Sequence, residues 1–114
     1  MDLNEFIVKL EQQAELIEFS DTMDVIEENY DFIPAKFTNN GSVNEENENN
    51  GSCKIFGFGL LNSLTKQQTL ACFGRYYRDD VLPHPEADDH QNIRNFIKSG
   101  WDGIYFSSAT LIPH

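Results

Sequence analysis

Basic residues are scarce in this chain. Eight Lys and Arg stand against nineteen Asp and Glu, a net charge of −11. Such a chain has little with which to neutralise a phosphate backbone or an anionic lipid surface, which argues against nucleic acid and membranes as partners. Cysteine is rarer still. Cys53 and Cys72 are too few for a disulfide framework, and their apolar sequence surroundings predict two reduced, buried thiols in a cytoplasmic setting. No apolar run approaches the roughly 18 residues of a membrane span. The N-terminus also shows no basic start followed by the apolar stretch of a signal peptide. The Asn-Gly-Ser triplets at Asn40 and Asn50 match the glycosylation pattern, which carries no chemistry without a secretory route.

What is present suffices for one modest core. The chain has 114 residues, 39% of them hydrophobic and nine of them Phe, which fits a single domain rather than two. That domain is expected over residues 1–106, with 107–114 as a C-terminal tail. The charge is unevenly placed. Thirteen of the acids but only Lys9 and Lys36 fall in residues 1–50, while residues 51–114 hold six acids and six bases. An acidic first half keeps a protein soluble and can steer a basic protein partner. Nothing in the pattern specifies an oligomeric state.

Hydrophobic periodicity organises the chain into an α+β domain of four to five helices with a small two- or three-stranded antiparallel sheet. Asp2 and Glu5 form a capping-box pattern, followed by Leu3, Phe6, Ile7 and Leu10 at helical spacing. Ser20 or Asp21 is positioned to cap a second helix with Met23, Ile26 and Tyr30 on its inner face. The period then changes to two, predicting a strand over Phe32–Thr38, with Pro34 favouring an edge. Asn40-Gly41 is hairpin-turn chemistry, returning through Ser42–Asn44. Cys53 to Leu61 is almost wholly apolar and is read as a buried helix capped by Ser52, its glycines allowing close approach. Thr65 and Gln68 form a second capping box, opening a helix towards Asp80 that Pro83 and Pro85 end. Asp88 or Asp89 is the expected cap of the last helix, which buries Ile93, Phe96, Ile97 and Trp101 and turns Arg94 and Lys98 outward. Gly100 closes it, and Ile104–Phe106 reads as a final strand. Leu3, Phe6, Ile7, Leu10, Met23, Ile26, Ile55, Phe56, Leu60, Leu70, Phe73, Ile93, Phe96 and Ile97 form the expected core.

Three stretches carry a resemblance: Ile17 to Phe32 (IEFSDTMDVIEENYDF), Gly51 to Arg78 (GSCKIFGFGLL and TLACFGRYYR) and His84 to Trp101 (HPEADDHQNIRNFIKSGW). Together they resemble the HopJ type III effector family, and His90 to Phe96 is the most specific part. The resemblance implies a bacterial protein and allows export through a type III system, but it brings no catalytic set. The well-patterned helix beginning at Leu3 points instead to a domain folded from its start.

Chemistry-bearing residues allow several readings. Gly51-Ser52-Cys53 before an apolar helix is similar to the nucleophile region of papain-like cysteine proteases, where a helix N-terminus activates a thiol and a later His accepts its proton. Cys53 and His90 are thus the catalytic candidates of a small hydrolase or transferase, with Asn92 or Asn95 to orient the imidazole. Lys54 and Asn47 depart from that protease pattern. His84, Glu86, Asp88, Asp89 and His90 are metal-ligand types, yet they show no paired helical spacing, so no metal or cofactor is expected. Asn44 to Glu48 lacks the alternating ligands of a calcium loop and reads as a solvated loop. Tyr76, Tyr77, His90, Asn92 and Arg94 are the binding candidates, with Asn92 and Arg94 alternatively bracing the preceding Pro-rich loop. The leading reading is a non-enzymatic binding or interaction module.

Overall fold

The computed structural model describes residues 1–114 and is α+β, with five α-helices and two small antiparallel sheets. The helices are α1 (Leu3–Gln12), α2 (Phe19–Asn29), α3 (Asn50–Leu61), α4 (Lys66–Ala71) and α5 (Gln91–Ser99). The strands are β1 (Tyr30–Phe32), β2 (Phe37–Asn39), β3 (Ser42–Asn44), β4 (Ile104–Phe106) and β5 (Leu111–Pro113). Three of them form one sheet in the order β3-β2-β4, while β1 and β5 form the other. The α3 helix runs through the centre, because a helix apolar on nearly every side can only be stable when surrounded. Its Phe56 is fully buried among Phe37, Phe73, Phe96 and Trp101, with ring centroids 5.0 to 6.3 Å apart. Two of its glycines admit neighbours that any side chain would displace. A Cβ at Gly57 would lie 2.5 Å from Thr110 Cγ2, and one at Gly59 would lie 2.7 Å from the Trp101 ring.

Several expectations are corrected by tertiary contacts. The single strand over Phe32–Thr38 is two strands in different sheets, interrupted around Pro34, whose ring leaves no N–H to donate. The α2 helix begins at Phe19, with Asp21 Oδ2 accepting from the backbone N–H of Glu18 at 3.0 Å, so Asp21 lies inside the first turn. The α3 helix starts at Asn50, before Ser52. Continuation from α4 towards Asp80 is broken at Gly74, which takes φ +60° beneath the Phe19 backbone and hands over to a π-helical turn, Tyr76–Val81. Leu60 is half exposed, and Arg94, expected outward, is only 8% exposed. Residues 107–114, read as a tail, contain β5. There Thr110 Oγ1 donates to Ile33 O at 2.6 Å and Leu111 is buried in the core.

Candidate functional site

Two helices begin at the same place on the surface. The first residue of α3 follows Asn49, and that of α5 follows His90. Both preceding residues are left-handed, at φ 51° and 49°, and neither side chain caps its helix. The first amides of a helix have no acceptor within it. In α3 the ladder opens with Cys53 N–H to Asn49 O, and in α5 with Ile93 and Arg94 N–H to His90 O. The backbone N–H groups of Asn50, Gly51, Ser52, Gln91 and Asn92 therefore have no protein acceptor. Gly51, Ser52, Gln91 and Asn92 line one open cleft of about 520 Å³, within the range of small-ligand sites.

The walls differ in character. On one side, side-chain amides form a braced network. Asn39 Nδ2 donates to Asn92 O at 2.9 Å and to Asn92 Oδ1 at 3.0 Å, and Asn92 Nδ2 donates to Asn44 Oδ1 at 3.0 Å. Asn49 Nδ2 reaches the same Asn44 oxygen at 2.7 Å, and Gln91 Nε2 donates to Asn95 Oδ1 at 3.0 Å. These bonds tie the β2–β3 hairpin to the start of α5. One acceptor in the network, the buried Asn39 Oδ1, has no partner. On the other side stand aromatic rings. Phe19 meets Tyr76 edge-on at 5.1 Å, and Tyr76 packs on the His90 ring at 5.3 Å. His90 Nε2 lies 3.0 Å from Asp80 Oδ2 and 4.0 Å from Asp89 Oδ2.

No Asp or Glu lines this cleft, although the chain carries nineteen. Two helix N-termini, each equivalent to about half a positive charge, are its strongest fixed dipoles. A second groove of about 550 Å³, along α2 and β1, carries the acids Glu27 and Asp31 on its wall. Lys54 sits 4.8 Å above the Phe32 ring, and His114 pairs with Asp31 at 3.1 Å.

The sequence candidates divide. His90, Asn92 and Tyr76 line the cleft, whereas Tyr77 lies outside it, its hydroxyl 3.5 Å from Gln67 and its phenol raised by burial. Arg94 braces the loop before α5. Its Nε donates to Asp89 O at 2.6 Å, Nη1 to His84 O at 2.7 Å, and Nη2 to Asp89 Oδ1 at 2.6 Å. The Arg94 hydrogen bond holds the Asp89 carboxyl below its usual range. Cys53 is buried with its Sγ 3.4 Å from Thr110 Oγ1 and 3.6 Å from Ala35 O, and it does not line the cleft that holds His90. Cys72 is equally buried, which pushes its thiol up to about 12. His84, Glu86 and Asp88 are exposed, and no three His, Cys, Asp or Glu residues gather into a metal-ligand group.

Sequence reading missed Phe19, Asn39, Asn44, Asn49, Asp80 and Gln91. Asn residues in turns are already accounted for by backbone conformation, so their side chains gave no separate signal.

The fold is shared. A crystal structure of the unknown-function protein VPA0580 superposes with a TM-score of 0.98 at 60% identity, covering 100% of this chain and 95% of that one. No curated protein matches the chain. The model of the family described as HopJ type III effector protein matches residues 3–111. The chain belongs to the HopJ type III effector family.

Proposed function

We propose that this HopJ protein is a non-enzymatic binding module whose ligand enters the cleft between the N-termini of α3 and α5. The observation that carries this reading is that Gly51, Ser52, Gln91 and Asn92, whose backbone N–H groups are unpaired, line one concave, carboxylate-free surface from both helices. Donors held rigid by two helices favour a ligand that presents hydrogen-bond acceptors, since little ordering remains to be done on binding. The aromatic wall supplies apolar contact beside them. The catalytic alternative receives no support from the geometry, because the Cys53 sulfur faces Thr110 and Ala35.

The natural ligand, on this reading, belongs to a protein partner of basic character. Exposed acids along the first two helices and the turn between them, among them Glu11, Glu15, Asp24, Glu27 and Glu28, would speed the approach of such a partner at low salt. Two buried, unpaired thiols suit the reducing cytoplasm in which the protein is made. No helix is long and apolar enough to cross a membrane.

Titration of the ¹⁵N-labelled chain with acetate and with acetamide tests the site. The amide resonances of Asn50–Ser52 and Gln91–Asn92 should move first and saturate together. Shifts confined to the acidic helices, or absent with both probes, would refute the reading.

A further inference from the structure

We propose that the cleft recognises a peptide group, taking its N–H on His90 Nδ1 and its carbonyl on the free amides of α3 and α5. In this arrangement Asp80 is the positioning residue that fixes the His90 tautomer. The inference rests on the cleft being a binding site and names the ligand class for it.

A neutral imidazole has one donor nitrogen and one acceptor nitrogen, and the partner of one determines the role of the other. An ionised carboxylate only accepts. Asp80 Oδ2 stands 3.0 Å from His90 Nε2, so Nε2 carries the hydrogen and Nδ1 keeps its lone pair. No protein group bonds Nδ1, and it is not among the buried unpartnered atoms, so solvent reaches it. The ring is also held in place. Tyr76 packs on it at 5.3 Å, and the carboxylate grips its far edge. His90 thus carries a fixed acceptor and lines the same cleft as Gly51, Ser52, Gln91 and Asn92, whose backbone N–H groups are free.

A complementary ligand carries a donor and an acceptor a few ångströms apart in one rigid unit. The peptide group is such a unit, with N–H and C=O in one plane and pointing in opposite directions. A bare carboxylate or phosphate fits less well. It would meet the Nδ1 lone pair, and the charged side chains around His90 are Asp80 and Asp89, with Arg94 committed to Asp89 at 2.6 Å. Phe19 and Tyr76 then provide a wall for an apolar side chain next to the bound peptide group. Capturing the main chain is a recurrent way for a binding module to hold an extended segment.

The test uses the full-length chain and two probes that differ by one hydrogen-bond donor. N-methylacetamide offers both N–H and C=O, whereas N,N-dimethylacetamide offers only C=O. In the wild type, N-methylacetamide should move the Gly51, Ser52, Gln91 and Asn92 amides at concentrations at least about threefold lower, the loss of about one modest hydrogen bond. His90→Leu should abolish that preference, and Asp80→Ala should weaken it by freeing the ring. Ring ¹⁵N shifts at pH 8 should report a single Nε2–H tautomer for His90 in the wild type. Equal responses to the two probes in the wild type would overturn the proposal without any variant having to fold, as would a dominant Nδ1–H tautomer. A preference that survives in His90→Leu would also overturn it. Acetamide binding with no such preference sinks only this inference, whereas cleft amides unmoved by any probe sink the binding site as well.

Discussion

Arg94→Ala removes the guanidinium that holds the loop between the π-helical turn and α5. Arg94 is 8% exposed and makes two short bonds to backbone carbonyls, 2.6 Å to Asp89 O and 2.7 Å to His84 O. A hydrogen bond from a charged donor contributes about 1.5 kcal/mol at the low end of its range, so these two give about 3 kcal/mol. The ion pair with Asp89 adds only about 0.5 kcal/mol, because that carboxylate faces solvent. The 3.5 Å contact to Asp80 O is too long to count. Losing about 3 kcal/mol should lower the urea midpoint by roughly 1–2 M for a domain of this size. Arg94→Lys should recover less than half of the loss, since one ammonium cannot span carbonyls on opposite sides of the fork. Urea unfolding followed by Trp101 fluorescence gives the number, and hydrogen exchange of the amides from His84 to His90 locates it. An unchanged midpoint in Arg94→Ala, or full rescue by Lys, would refute the brace.

Two further outcomes follow from the core. Gly59→Ala places a methyl 2.7 Å from the Trp101 ring, which is itself pinned by its Nε1–H to Leu64 O at 2.9 Å. The overpacking should cost about 1–3 kcal/mol in urea unfolding, and an unaltered midpoint would mean that Trp101 is free to move. Cys72 makes stability depend on alkaline pH. The unfolded thiol ionises near 9.0 while the folded one keeps its proton to about 12, so the folded state binds the extra proton between those values. Its contribution is therefore complete below pH 9 and falls as pH rises, by about 1.4 kcal/mol per pH unit. Cys72→Ala should unfold with a shallower decline between pH 9 and 10.5, and parallel pH profiles would contradict the burial argument.

Local pattern was enough to place most helices, because helical spacing of apolar residues directly encodes which face is buried. Phe6 and Leu10 on α1, and Ile93 and Phe96 on α5, lie in the core where their periodicity puts them. The Asn40-Gly41 turn, with φ 52° and 83°, and the pairing of Phe37–Asn39 with Ser42–Asn44 follow from residues that tolerate positive φ. Other features depend on partners distant in sequence. Arg94 has the spacing of a solvent-facing residue and is buried only because the loop after Asp80 folds back to offer it carbonyls. Gly74 breaks a helix whose apolar pattern continues, because the Phe19 backbone occupies the space of its missing Cβ, 2.5 Å away. Leu111–Pro113 becomes a strand through antiparallel pairing with Tyr30–Phe32 at the other end of the chain. The cleft belongs to this second group. His90, Asn92 and Tyr76 stood out as polar and aromatic side chains, but its main donors are backbone amides, which every residue possesses. Only packing the start of α5 beside the start of α3 turns those unpaired N–H groups into a site.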